Sequence, residues 1–271
     1  MKEPPKKVPT LTSPPYSQSL ERGLAILRVF NPEHTLLGIA DIADPLGMSR
    51  STTHRYVITL VALGFLEQDA SRKYRLGPRV VDLGLAGLNS TGLRKESRAV
   101  LEELRRSTSH TAVIAILDET EIVCVDCARS YKQTEGLFWL ELRPGSRLPA
   151  HRTAMGKLLL AQLPAPELDD VVEAIAFTRS TPKTITSRTA LTNALREIRK
   201  QGFALSDEER LQGVIEVAVP VYRDTGEVAA ALGLLARPAT RSIKELVNEL
   251  RPLAETTASD LTAGLHRNNT G

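Results

Sequence analysis

Apolar residues recur at helical spacing near the start of the chain. In SQSLERGLAILRVF, Leu20, Leu24, Leu27 and Phe30 fall three or four apart, and Asn31-Pro32 ends the run. LGIADIADPLG predicts a second, short helix with Ile39, Ile42, Ala43 and Leu46 inward. Gly47 marks a turn, Ser49 is a natural cap, and a third helix runs to about Leu63, stopped by Gly64. FLEQDASRKYRL then predicts a tight hairpin around Ala70-Ser71-Arg72. Helix, helix, turn, helix, hairpin is the order of a winged helix-turn-helix.

The segment RVVDLGLAGLNSTGLRKES is a Gly-interrupted apolar helix suited to linking or dimerising. Beyond it the pattern changes. A helix in RAVLEELRRST leads into period-two strands in TAVIAILD, EIVCVDCAR and TEGLFWLEL. The loop RPGSRLPAH opens onto the helix TAMGKLLLAQL, and two more helices follow. Strands VIEVAVPVY and EVAAALGLLA meet at Asp224-Thr225-Gly226, and an amphipathic helix begins near Ser242. The fold class is therefore α+β, the C-terminal part a mixed α/β domain with a largely antiparallel sheet. The expected divisions are a disordered tail at 1–15, a winged helix-turn-helix domain at 16–78, a linker helix at 79–96, a mixed α/β domain at 97–265 and a tail at 266–271.

The third helix has a divided surface. Thr53, Tyr56, Val57, Leu60 and Leu63 share the core face, which leaves Arg50, Ser51, Thr52, His54, Arg55 and Thr59 outward. None of these outward side chains is useful for packing. All suit a DNA major groove, where arginine reads guanine with two bonds and Ser and Thr meet base edges or a thymine methyl. Free backbone N–H groups at the helix start favour phosphate. Arg72 and Lys73 at the wing tip would touch the sugar-phosphate backbone.

Charge adds little. Residues 1–78 hold 10 Lys/Arg against 7 Asp/Glu, and the remainder is balanced, so the whole excess of +3 lies at the N-terminal end. Hydrophobic content of 42% with 25% charged residues is that of a soluble globular protein. No apolar run reaches the roughly 18 residues of a membrane span. MKEPPKKVPTLTSPPYSQSL has a basic start with no apolar core after it, so a cytoplasmic protein is expected.

Cys124 and Cys127 form a lone C-x-x-C. A metal half-site or redox pair is one reading. Strand alternation would send them to opposite faces, and no second pair or nearby histidine follows, which favours two small buried or half-buried side chains. His151 reads as a satisfied structural residue, and Asp207-Glu208-Glu209-Arg210 as a solvated turn.

An enzyme finds weak support. Gly156-Lys157 lacks the upstream glycine of a phosphate loop, and Ser180-Thr181-Pro182-Lys183 mimics S-x-x-K in a Pro-broken loop. No G-x-S-x-G and no metal-spaced His/Asp set occurs, so catalytic residues, metal and cofactor are all expected to be absent. A winged helix serving only protein interaction would carry hydrophobic residues on the outward face.

The stretches SLERGLAILRVF, SRSTTHRYVITLVALGFLEQD, KYRLGPRVVDLG, LPAHRTAMGKLLLA and GVIEVAVPVYRDTGEVAAALGLLA together resemble an IclR-family transcriptional regulator. The likeness runs from about Tyr16 to Leu265. RPGSRLPAHRTAMGKLLLA is similar to the branch controlling aromatic-acid catabolism through the β-ketoadipate route. The resemblance implies a winged helix-turn-helix, a linker helix and a GAF-like effector domain that binds a small metabolite such as an aromatic or other organic acid. It also implies dimers or tetramers on pseudo-palindromic double-stranded operators.

Carried over by position, the family pocket falls on Leu137, Leu140, Leu148, Ala154, Met155, Ser206, Asp207, Val214, Glu216 and Gly233. A helix N-terminus facing apolar strands is a natural cradle for a small carboxylate. Glu216 stands where family members that bind small 2-oxo acids place a small polar or thiol side chain, and Gly233 where they place serine. A buried carboxylate beside an anionic ligand is costly unless paired or protonated. Three readings stay open: Arg147 or Arg152 neutralises one of the two, the effector is no simple anion, or Glu216 points away.

Overall fold

The computed structural model describes residues 16–31, 33–90, 93–130, 142–237 and 242–269. The chain divides between Gly87 and Leu88 into two compact units. The expected strand TEGLFWLEL, the N-terminal tail and the pocket positions Leu137 and Leu140 lie outside the described residues.

In the first unit, α1 (Gln18–Val29), α2 (Ile39–Leu46) and α3 (Arg50–Ala62) precede a two-stranded wing, β1 (Leu66–Gln68) and β2 (Tyr74–Leu76). The core holds Ile26, Phe30, Ile42, Val57, Leu60, Leu66 and Tyr74. Of the helically spaced residues of α1, Phe30 joins Ile26 in the core, while Leu20 and Leu24 are 63% and 52% exposed. One expectation fails here. Leu63 is exposed too, since the helix ends one residue earlier and Leu63 is its cap.

Turn chemistry holds this unit in register. Gly47 is left-handed (φ 61°) and its amide donates to Ala43 and Asp44 carbonyls. The Ser49 hydroxyl accepts the Thr52 amide at 3.2 Å, and buried Thr53 donates its hydroxyl to the Ser49 carbonyl at 3.1 Å. Leu37 and Tyr74 exchange backbone bonds at 2.9 and 2.8 Å, fixing the wing to the segment before α2. Gly77 is the one residue that fits beside the Gly64 carbonyl, where a Cβ would come within 2.4 Å of the oxygen. Then α4 (Pro78–Ser90) follows, exposed from Val81 through Gly87.

The second unit begins with α5 (Leu93–Thr108), which starts before the RAVLEELRRST helix expected from the sequence. Its six-stranded sheet is made of β3 (Thr111–Asp118), β4 (Glu121–Ala128), β5 (Arg147–Pro149), β6 (Ala204–Asp207), β7 (Ile215–Tyr222) and β8 (Val228–Ala236). The order is β5-β4-β3-β8-β7-β6, antiparallel throughout. Three short helices, α6 (Ala154–Leu160), α7 (Ala165–Ala174) and α8 (Arg188–Gln201), and the long α9 (Ile243–Asn269) complete it. Positions 266–269, expected as tail, continue α9. The short strand β5 falls within the expected loop RPGSRLPAH, and β6 in a stretch to which the sequence pattern assigned no element.

Two cores lie on opposite faces of this sheet. On one, Val113, Ala115, Ala218, Ala231 and Leu235 meet Met155 and Leu158 of α6 and Leu191 and Leu195 of α8. On the other, Ile114, Val221, Leu232 and Leu234 meet Leu101 and Leu104 of α5 and Leu246, Leu250 and Leu261 of α9. The cysteines depart from expectation. A bulge skips Val125 where Ile114 pairs with Asp126 and Ala115 with Cys124. Cys124 and Cys127 therefore share the α6-side core, where the Cys124 thiol donates to the Asp126 carbonyl at 3.6 Å and the Cys127 thiol to the Leu142 carbonyl at 3.4 Å.

Candidate functional sites

The start of α3 carries the first site. Arg50, Ser51, His54, Arg55 and Thr59 are exposed, and Thr52 is half-buried. Behind them Thr53, Val57 and Leu60 are buried, so the helix is anchored by one face and offers the other. Thr52 and Ser51 gather around the cap: Ser49 donates its hydroxyl to Thr52 Oγ1 at 2.8 Å and lies 3.1 Å from Ser51 Oγ. Thr59 bonds back to the Arg55 carbonyl at 3.0 Å.

Arg72 and Lys73 are exposed at the wing tip. One carboxylate builds this tip: Asp69 Oδ1 accepts the Ser71 and Lys73 amides at 2.9 and 3.0 Å and the Ser71 hydroxyl at 2.7 Å. Those bonds hold Asp69 below the usual carboxylate range. They also set Arg72 in the left-handed region, φ 62°.

The second site lies where α6 meets β6, β7 and β8. A 3₁₀ turn at Ala150–Arg152 leads to Thr153, whose hydroxyl accepts the Gly156 amide at 3.0 Å and starts α6. Gly156 has no room for a side chain; a Cβ would meet the Ala150 carbonyl oxygen at 2.2 Å.

Glu216 projects inward from β7. Its Oε1 accepts the Met155 amide at 2.9 Å beside the Ala154 amide at the start of α6, and the residue is only 5% exposed. Burial pushes this carboxyl up against the opposing pull of those amides. The reading in which it points away is thus corrected. Arg147 is not its partner either: it donates to Glu121 at 2.8 Å and pairs with Asp118 on the surface. Arg152 donates through Nη1 to Ser180.

The other expected pocket positions separate. Gly233 faces Ala218 across the strands and lies under Met155. Ser206 stands opposite Glu216 in the β6–β7 register and donates its hydroxyl to the Arg152 carbonyl at 3.2 Å. Leu148, Ala154, Met155 and Val214 are buried in the same core. Asp207 instead takes Lys183 at 2.9 Å. A cleft of about 670 Å³ opens elsewhere, lined by Leu159, Leu163, Pro164, Tyr222 and Arg223.

Two buried groups correct the earlier reading. Glu209 belongs to no solvated turn: it is buried and ion-paired with Lys157, which also donates to the Leu205 carbonyl at 2.8 Å. Its Oε2 finds no hydrogen-bond partner among the described residues. His151 is 3% exposed, edge-on to Phe177 with centroids 5.4 Å apart, and its Nε2 is likewise unpartnered. Burial, with Arg152 and Lys157 nearby, lowers its pKa to about 4, so the ring is neutral at pH 7. The missed signal was the lone Lys157 inside the apolar run AMGKLLLA. A lysine there needs a buried partner.

A winged helix-turn-helix with an outward basic and hydroxyl-bearing face, followed by a separate α/β unit, defines the class of two-part DNA-binding regulators. Residues 19–70 match the IclR helix-turn-helix domain, and residues 85–263 match the bacterial transcriptional regulator IclR C-terminal family. The HTH-type transcriptional regulator XynR of Escherichia coli (strain K12) is 39% identical over 241 residues, covering 86% of this chain and 92% of that protein. The Pca operon regulatory protein of Acinetobacter baylyi is 33% identical, covering 89% and 87%. A crystal structure of an IclR homolog complexed with 4-hydroxybenzoate, from Microbacterium hydrocarbonoxydans, superposes with a TM-score of 0.75 at 27% identity, over 91% of this chain and all of that one. The chain belongs to the IclR family of transcriptional regulators. These relatives are named as regulators, in keeping with the reading against an enzyme.

Proposed function

We propose that this regulator binds a pseudo-palindromic operator as a dimer or tetramer and that a small organic metabolite bound in the second unit changes its operator affinity. The observation that carries the DNA half is the division of α3: a buried Thr53/Val57/Leu60 face behind an exposed Arg50, Ser51, His54, Arg55 and Thr59 face. A helix so anchored enters a major groove by its first turns, while Arg72 and Lys73 reach the backbone.

Self-association through the first unit is supported by α4, where Val81 and Leu83 are each 60% exposed beside exposed Leu85. Such an apolar stretch is usually covered. Leu148, Ala154, Met155, Ser206, Asp207, Val214, Glu216 and Gly233, with Leu137 and Leu140, are the proposed effector positions. Effector coupling of this kind is typically about 1–3 kcal/mol.

The test is fluorescence anisotropy of the full chain on DNA from its own upstream region, with and without a panel of small organic metabolites. A several-fold or larger change with one metabolite supports the proposal. Specific binding that no metabolite alters leaves a regulator without this control, and absence of specific binding overturns the DNA half. Sedimentation of Val81→Glu/Leu83→Glu should show loss of the dimer.

A further inference from the structure

The chain carries two cysteines, Cys124 and Cys127, and plain strand alternation would set them on opposite faces. The bulge at Val125 removes that separation. Cys124 pairs with Ala115 and Cys127 with Val113, two positions apart on β3, so both belong to the α6-side core. Two positions along a strand span about 6–7 Å between Cα atoms, the upper end of what a disulfide bridges. The extra residue bends and twists β4 between them. Both cysteines are free thiols, 2% and 8% exposed.

The two thiols differ in character. The neighbouring Cys124, and with it the Arg129 and Arg98 guanidiniums, hold the Cys127 thiol below its ordinary value, against burial and the Asp126 carboxylate. Cys124 is raised, first by Cys127 and then by burial. A more acidic, slightly exposed thiol beside a buried one is the division between a cysteine that attacks a peroxide and one that resolves the product. Each thiol also serves the fold as a donor, Cys124 to the Asp126 carbonyl and Cys127 to the Leu142 carbonyl. The Asp126 side chain in turn accepts the Ser97 hydroxyl at 3.1 Å and pairs with Arg98 at 3.4 Å, both on α5.

We propose that Cys124 and Cys127, brought to one face by the β4 bulge, form a reversible intramolecular disulfide in response to hydroperoxides. The Cys127 thiolate attacks one oxygen of the hydroperoxide and the O–O bond breaks. Cys127 becomes a sulfenic acid, and the other oxygen leaves as an alcohol, or as water from hydrogen peroxide, with the proton that the thiol gave up. The Cys124 sulfur then attacks the Cys127 sulfur. The S–S bond forms, the S–O bond breaks, and the hydroxyl leaves as water with the Cys124 proton. Two thiols are oxidised and one peroxide is reduced. The first step also consumes the thiol that raises Cys124. Closure withdraws both S–H donors from the Asp126 and Leu142 carbonyls, in the part of β4 that holds α5. A bond at this span requires backbone adjustment, which makes it a labile, reducible link and no permanent staple.

The experiment exposes the folded full chain to a small molar excess of hydrogen peroxide and quenches it with catalase. The protein is then denatured in N-ethylmaleimide, and its intact mass is read before and after reduction with a phosphine. With two cysteines in the chain, every product is assignable. The wild type should lose two hydrogens and take no maleimide, then take two once reduced. Cys124→Ser should stop at a sulfenic acid on Cys127 that dimedone labels, and Cys127→Ser should react about tenfold more slowly or less. Cys124→Ala and Cys127→Ala repeat this where a buried hydroxyl disturbs the fold, and the wild-type mass is decisive by itself. Two free thiols after treatment, over-oxidation of Cys127 without a bridge, or a bridge found solely between two chains overturns the proposal. Cys127→Ser reacting as fast as the wild type does so too.

Discussion

The thioether of Met155 lies against Gly233, so closely that a Cβ at position 233 would stand 2.7 Å from its Sδ and 2.7 Å from its Cγ. One residue is bulky because the other is absent of side chain, and the two were separate readings in the sequence. Gly233→Ser should therefore destabilise the second unit by about 1–3 kcal/mol through overpacking. The cost should shrink when Met155→Ala is added, since the space is then shared differently. A denaturant double-mutant cycle measures the coupling, and strictly additive effects would show that the contact is not what fills the site.

Arg55 is exposed on the outward face of α3 and the fold makes no use of its side chain in the core. Arg55→Ala should weaken specific operator binding by about 1–3 kcal/mol if it reads a base. The melting temperature should be unchanged. Anisotropy at fixed salt, with specific and scrambled duplexes, separates base reading from phosphate contact: a phosphate contact would lower both affinities together.

His151 gives a pH dependence of definite sign. Its ordinary value is 6.5 and the folded value about 4, so between those limits the unfolded chain binds more protons. The stability it contributes is complete above pH 6.5 and is lost as pH falls toward 4. The loss is on the order of 3 kcal/mol at most. Glu209 and Glu216 run the other way: burial raises their folded values, so their contribution declines as pH rises above 4.5. Comparing melts of the wild type and His151→Phe from pH 4.5 to 7 isolates the histidine. A gap between the two curves that stays constant across this range would contradict the assignment.

The buried Lys157–Glu209 pair should behave asymmetrically. Lys157→Met leaves Glu209 buried without its cation and should cost about 3–5 kcal/mol in chemical denaturation. Replacing both, as Lys157→Met/Glu209→Leu, should recover most of that loss. If the double variant is no more stable than Lys157→Met, the pair is not the unit that the burial implies.

The sequence by itself determined the helix-turn-helix, because its signals are local: Gly47 at a left-handed turn, Ser49 as a cap, and an apolar repeat with Arg50, Ser51 and Arg55 left over. It also determined β3 and β4 through period-two alternation, and β7 and β8 as two strands meeting at Asp224-Thr225-Gly226. The spacing of Leu20, Leu24, Leu27 and Phe30 marked a helix without saying which of them meet the core, and Leu20 and Leu24 are exposed. Only the tertiary structure decided the second site. Whether Glu216 turns toward α6, whether Cys124 and Cys127 share a face, and what Glu209 pairs with depend on strand register, one bulged residue and contacts between residues dozens apart. Side chains so placed leave no periodic trace, since burial of a charge is settled by whichever distant partner arrives beside it.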